Sequence, residues 1–200
     1  MEVQDDDATS RISTHARLTF NLMEGLKLSL FGAYTYNIVE NSQYLPTSVW
    51  ANGQAYKGTK KRESLLGNMM LTYKKNWKKH FFDVLALAEL QKETYTGYYT
   101  TVSNFSTDKF GYNNLQAGAL RLWEGTNSYY EQPRLASFMG RFNYTYADRY
   151  VLTLNARTDA SSKFGANHKW GFFPSASAAW VISEEEFMKQ FPVIDNLKFR

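Results

Sequence analysis

The stretch ASFMGRFNYTYADRYVLTLNARTD, residues 136–159, decides how the rest of the chain reads. In it Ala136, Phe138, Gly140, Phe142, Tyr144 and Tyr146 alternate with Ser137, Met139, Arg141, Asn143 and Thr145. After Ala147-Asp148-Arg149 the return places Tyr150, Leu152, Leu154 and Ala156 against Thr153, Asn155 and Arg157. A period of two is the signature of a strand, because successive side chains leave the backbone on opposite faces. Two such strands about a tight turn make an antiparallel hairpin with one apolar and one polar face.

The same period recurs on both sides of the hairpin. Upstream, Thr14, Ala16, Leu18, Phe20 and Leu22 oppose Ser13, His15, Arg17, Thr19 and Asn21, and a turn at Met23-Glu24-Gly25 follows. Leu26, Leu28, Leu30, Tyr34, Tyr36 and Ile38 then oppose Lys27, Ser29, Ala33, Thr35 and Asn37, with Phe31 out of pattern. Leu65, Gly67, Met69, Leu71 and Tyr73 form a third run, residues 74–79 turn the chain, and Phe82, Val84, Ala86, Ala88 and Leu90 form a fourth. Its apolar centre also suits a buried helix, but the flanking alternation favours a strand. Downstream, Ala176, Ala178, Trp180 and Ile182 share a face from Phe173 on, and residues 197–200 begin a further strand. The polar, Gly-, Ser- and Asn-rich segments 39–63 and 97–133 read as loops. Residues 183–190 read as the one helix, since Ser183 and Glu186 have capping-box spacing.

Composition narrows the classes further. The chain of 200 residues is 44% hydrophobic and 16% aromatic, which is too apolar for a disordered segment. It has no cysteine, so disulfide scaffolds, thiolate metal sites and thiol nucleophiles are excluded. A net charge of +4 argues for neither nucleic acid nor an anionic surface. No stretch has the roughly 20 consecutive apolar residues of a membrane-spanning helix. The acidic start, Met1 to Asp7, lacks the basic region of a signal peptide, so a mature or truncated start is expected.

The connections alternate short and long along the whole chain. Bacterial outer-membrane barrels are built this way, on strands of about 9 to 11 residues with apolar-out, polar-in alternation. Tyr34, Tyr36, Tyr73, Tyr144, Tyr146, Tyr150 and Trp180, near strand ends, suit interfacial girdles. The expected fold is therefore all-β, an antiparallel transmembrane barrel segment of about seven or eight strands with short periplasmic turns and long extracellular loops. Alternation by itself also admits a soluble antiparallel sandwich, hence a glycan-binding module or a surface adhesin.

From Ser137 the chain reads SFMGRFNYTYADRYVLTLNARTDASSKFGANHKWGFFPSASAAWVISEEEFMK. This resembles closely the SusC/RagA family of TonB-dependent outer-membrane transporters of Bacteroidota. The residues carrying the resemblance are Gly140-Arg141, Asn143-Tyr144, Tyr146, Asp148-Arg149-Tyr150, Arg157, Asp159, Ser161-Ser162, Phe164-Gly165, Trp170-Gly171, Phe173-Pro174-Ser175, Trp180 and Ser183-Glu184-Glu185. Ala160 and Lys163 depart from the family's usual Gly and Arg. The resemblance implies energised import of oligosaccharides or peptides across the cell outer membrane of a Gram-negative bacterium, through a barrel of about 22 strands. It also implies a SusD-type surface lipoprotein as lid, a TonB complex as energy source, contact with membrane lipid, and no cofactor. On this reading residues 1–200 are an internal piece of the barrel, lacking plug and closure.

No catalytic or metal set emerges. His15, His80 and His168 lack ligand spacing, and Glu184 to Glu186 read as dipole partners of a helix start. Lys74, Lys75, Lys78 and Lys79 around Trp77 superficially resemble a single-strand nucleic-acid patch, but no second aromatic-basic stripe continues it. An interfacial Trp in a solvated turn is the preferred reading, with no nucleic-acid partner. Loop aromatics are the candidates for substrate contact: Trp50, Tyr56, Tyr98, Tyr99, Trp123, Tyr129 and Tyr130, with Tyr44 beside them. Asp159, Ser161 and Ser162 are expected to cap a turn, and Arg157 to pair with a carboxylate on the polar face.

Overall fold

The computed structural model describes residues 2–190 and 193–200. Its strands are β1 (Gln4–Met23), β2 (Leu26–Leu45), β3 (Gln54–Trp77), β4 (His80–Phe105), β5 (Gly118–Leu120), β6 (Thr126–Glu131), β7 (Arg134–Tyr146), β8 (Tyr150–Ser161), β9 (Trp170–Val181) and β10 (Lys198–Phe199). They form one 10-stranded sheet in the order β1-β2-β3-β4-β7-β8-β9-β10, with β5 and β6 pairing on β4. The path is open, and no second sheet lies against it among the described residues, so the sandwich alternative is set aside.

Register bears out the two-faced reading of the central hairpin. Phe138, Phe142 and Tyr144 stand opposite Thr158, Leu154 and Leu152, and Leu152 and Leu154 in turn opposite Ala178 and Ala176. The alternate set, Met139, Arg141 and Asn143, meets Arg157, Asn155 and Thr153. Arg141 Nε donates to Asn155 Oδ1 at 3.0 Å, and Asn155 Nδ2 to Ser175 Oγ at 3.2 Å. Pairing polar groups across strands links the polar face of the hairpin into one network. Phe31, out of pattern in the sequence, lies near His15 at 6.1 Å between ring centroids and under the Arg17 guanidinium at 5.0 Å.

Three expectations are corrected. The strands β1 to β4 run 20, 20, 24 and 26 residues, so much of the segments read as loops is strand. The connection within 39–63 shrinks to 46–53, and 97–133 contains the end of β4 together with β5 and β6. Ladder hydrogen bonds need no apolar face, so a strand polar on both sides leaves no hydrophobic period to read. The turn expected at 74–79 is confined to Lys78-Lys79, with Lys78 at φ 56.

The expected helix at 183–190 is replaced by two 3₁₀ stretches, Ile182–Glu184 and Glu186–Gln190. Glu185 between them is extended at φ −77, ψ 145. Its carboxylate accepts from Arg149 Nη1 at 2.9 Å, Tyr150 Oη at 2.7 Å and Trp180 Nε1 at 3.1 Å. Those bonds hold Glu185 in its extended conformation between the two stretches.

The chain divides into two compact units. The first comprises Met1–Thr14, Ala33–Leu65 and Lys92–Pro133, and the second His15–Gly32, Leu66–Gln91 and Arg134–Arg200. In the first, Tyr44, Ala55, Val102 and Phe105 form a buried cluster, with Tyr112, Leu115 and Ala117 packed on it.

Candidate ligand-contacting site

The site is built in the first unit. Period-two alternation sends Asp5 and Asp7 of β1 to one face and Asp6 to the other. Asn41 Nδ2 on β2 donates to Asp7 Oδ1 at 2.5 Å, and Gln43 Nε2 to Asp5 Oδ2 at 3.4 Å. Asp6 accepts the Tyr112 hydroxyl from the 3₁₀ turn Gly111–Asn113. The Lys57 ammonium sits 5.5 Å from the Tyr112 ring centroid. Asp6, Asp7, Asn41, Lys57 and Tyr112, with Glu40 and Tyr98, line an open cleft of about 450 Å³.

A polar network of the connecting segment surrounds Tyr44, on whose buried cluster Tyr112 packs. Asp108 accepts Tyr44 Oη at 2.8 Å, Thr47 Oγ1 at 2.8 Å and the Thr47 amide at 3.1 Å. The tyrosine hydrogen bond first, then those of Thr47, hold the Asp108 carboxyl below its ordinary pKa. Tyr44 is fully buried, so it serves the core of the segment and offers no ring to a ligand. The cleft thus combines acceptors, an amide, one cation and the rings of Tyr98 and Tyr112. That set suits polar ligands that have donors and apolar patches. Among the described residues no group of three or more His, Cys, Asp or Glu could hold a metal ion.

The aromatics singled out in the sequence are dispersed. Tyr98 alone lines the cleft. Tyr56 stacks on Tyr99 at 5.8 Å between centroids. Tyr129 lies over Gly97, its register partner, where a Cβ would meet the ring at 2.6 Å. The Tyr130 hydroxyl accepts from Gln132 Nε2 at 2.8 Å. Trp50 and Trp123 stand in solvent, Trp123 at 89% exposure. Asp6, Asp7, Asn41, Lys57 and Tyr112 were not legible as a site. Asp6 and Tyr112 are 106 residues apart, and the acidic run at the start was the only local signal.

The motif residues lie in the second unit and hold strands and turns together. Gly140, Arg141, Asn143 and Tyr144 belong to β7, and Arg157 and Asp159 to β8. Arg157 Nε bonds both Asp159 oxygens, at 3.0 and 2.9 Å, and Arg157 Nη2 reaches Ser137 Oγ at 3.4 Å. Asp159 thus partners Arg157. Ser162 Oγ accepts the Arg134 amide at 2.8 Å and Ser161 Oγ the Lys163 amide at 3.3 Å. Phe164 and Gly165 lie in the β8–β9 turn, where the Gly165 carbonyl accepts the His168 amide at 3.0 Å. Trp170 stacks on Phe138 at 6.1 Å, and the Gly171 carbonyl accepts Thr158 Oγ1 at 3.0 Å. Phe173, Pro174 and Ser175 oppose Arg157, Ala156 and Asn155. Asp148 has φ 58 in the β7–β8 turn.

A family model described as TonB dependent receptor-like, beta-barrel matches residues 2–200. The chain is 30% identical over 185 residues to TonB-dependent receptor P3 of Formosa agariphila, covering 90% of this chain and 18% of that protein. It is 29% identical to TonB-dependent receptor SusC of Bacteroides thetaiotaomicron, covering 100% of this chain and 20% of SusC. Among solved structures, the RagAB peptide transporter superposes with a TM-score of 0.82 at 18% identity, covering 92% of this chain and 21% of that one. The chain thus spans about a fifth of the length of these relatives.

Proposed function

The chain belongs to the TonB-dependent receptor β-barrel family, and from that premise we propose that it is a barrel segment of an outer-membrane importer of oligosaccharides or peptides. The family's proteins reside in the outer membrane of Gram-negative bacteria. The observation that carries the proposal is the match over residues 2–200 to a barrel whose members are receptors and transporters. The face bearing Phe138, Phe142 and Leu154 meets lipid, and that bearing Arg141, Asn155 and Arg157 meets the aqueous lumen. The turns at Glu24-Gly25, Lys78-Lys79 and Ala147-Asp148 are periplasmic, and the connections at 46–53 and 106–133 are extracellular. A SusD-type lipoprotein closes the outer mouth, and a TonB complex supplies energy through parts of the protein beyond this segment.

Substrate contacts in this segment come from the first unit and the loop aromatics. The motif residues of the second unit bond one another, so they hold the barrel and leave selection to the loops. Deleting the gene for the full-length protein is expected to abolish growth on one class of oligosaccharide or peptide, restored by the intact gene. A product that fractionates as soluble without detergent contradicts the proposal.

A further inference from the structure

The second unit contains a basic and aromatic cluster that the import reading leaves unused. Alternation along β3 puts Met69, Leu71, Tyr73, Lys75 and Trp77 on one face, while Lys74 turns to the other and meets Asp83 Oδ2 at 3.4 Å. Trp77, 60% exposed, stacks on His80 at 5.5 Å between centroids. His80 in turn faces Tyr144 and Tyr146 at 6.0 and 5.0 Å, and its Nδ1 lies 2.7 Å from the Tyr144 hydroxyl. Lys78 and Lys79 form the turn itself, pinned by the Ala147 amide donating to the Lys79 carbonyl at 2.7 Å. On the other side the Lys74 amide donates to the Gly25 carbonyl at 2.8 Å. The acidic residues of the flanking turns are Glu24 and Asp148. Against them stand Lys75, Lys78 and Lys79, none of which has a carboxylate within ion-pair distance among the described residues.

We propose that Lys75, Lys78 and Lys79, set around the Trp77–His80–Tyr144 stack, form a binding site for the headgroup of an anionic phospholipid of the inner leaflet. The inference rests on the barrel reading above. The ring stack is a membrane-interface anchor, because amphipathic rings settle at headgroup depth. Lys75 emerges on that same apolar face one pleat before Trp77, where only its aliphatic stem can lie against lipid while its ammonium reaches the phosphate plane. The rigid turn adds two further ammonium groups at that level, matching a phosphodiester in charge and depth. Nucleic acid needs a continuing stacking path, which this compact cluster does not offer.

The test uses the purified full-length protein in detergent micelles doped with phosphatidylglycerol or with phosphatidylcholine of the same acyl chains. Bound lipid is counted by native mass spectrometry, and barrel integrity is followed by heat-modifiable gel migration. The wild type is expected to retain phosphatidylglycerol preferentially. Each lysine near an anionic surface is worth roughly fivefold in affinity, so K75Q/K78Q/K79Q should lose at least about tenfold of that preference. K75R/K78R/K79R should keep it. Equal retention of the two lipids by the wild type, or an undiminished preference in the glutamine variant with its barrel intact, overturns the lipid site and leaves the import reading standing. A full-length protein that needs no detergent to remain in solution overturns both.

Discussion

In the unit formed by Met1–Thr14, Ala33–Leu65 and Lys92–Pro133, the described side chains withdrawn from solvent are Tyr44, Pro46, Ala55, Val102 and Phe105 with Thr59. In the unit formed by His15–Gly32, Leu66–Gln91 and Arg134–Arg200, the described residues that are buried are Ser29 and Ser137, while Leu18, Phe20, Met69, Phe138, Leu154 and Phe172 are exposed. One unit is organised as water demands, with apolar groups inside. The other exposes its leucines and phenylalanines, as the lipid-facing role proposed for that face requires. The same antiparallel ladder supports both arrangements, because the backbone is satisfied by strand pairing whichever phase meets the side chains.

The largest effect is expected in the water-organised unit. Phe105→Ala removes a ring packed edge-on to Tyr44 at 5.4 Å between centroids and costs that unit about 3–5 kcal/mol. Limited proteolysis should then cleave within 106–125 while heat-modifiable migration of the full-length barrel is unchanged; loss of both together would mean that the two units fold as one.

Next, Phe142→Arg places a charge on the exposed apolar face at about 2–4 kcal/mol if it stands near the bilayer midplane. Asn143→Arg, one residue along and on the face of Arg141 and Asn155, should be tolerated. The readout is the folded fraction in the outer membrane, and equal losses would shift the register by one.

A smaller effect separates two of the carboxylates that bond tyrosines, Asp108 to Tyr44 and Glu185 to Tyr150. Glu185 is held below its ordinary pKa chiefly by the Tyr150 hydroxyl, then by Trp180 and the Arg149 charge, and Asp108 by Tyr44 and Thr47. Groups with depressed pKa contribute stability above the unfolded value, about 3.9 for Asp and 4.3 for Glu, and lose it as pH falls through the folded one. Hydrogen-exchange protection at residues 147–150 and 181–186, corrected for the intrinsic rate, should therefore fall between pH 5 and pH 3, with that acid response diminished in Glu185→Gln. An unchanged acid response would assign the clasp to Arg149 and Glu186, which lie 3.6 Å apart.

The smallest effects concern the exposed loop rings. Trp123→Ala and Trp50→Ala should weaken nutrient binding by the full-length importer by about 0.5–1.5 kcal/mol, the scale of ring stacking, without altering assembly. Calorimetry giving unchanged affinity for both, with weaker binding in Tyr112→Ala, would move the contact to the cleft beside Asp6 and Lys57.

How much was legible follows the same division. Phe138, Phe142, Leu152 and Leu154 declared their strands because one face had to be apolar, and the pairing of Arg141 with Asn155 followed from that alternation. The polar parts of β2, β3 and β4 declared nothing, since Glu40 and Asn41, Lys60 and Lys61, and Thr100 and Thr101 put polar side chains on both faces. The candidate site was legible only at Tyr98. Its other members come from β1, β2, β3 and the 3₁₀ turn at Gly111–Asn113, and no local spacing relates them.

The sequence by itself determined strand identity wherever the two faces meet different phases, the family through the motif from Ser137 onward, and the absence of thiol chemistry. Those properties reside in residue type and in periods of a few residues. Tertiary structure alone decided that Tyr44 is core, that Glu185 unwinds the helix its neighbours encode, and that Asp6 meets Tyr112. Each depends on partners brought together from distant positions, and the free energy of such contacts is set by geometry that one-dimensional spacing does not contain.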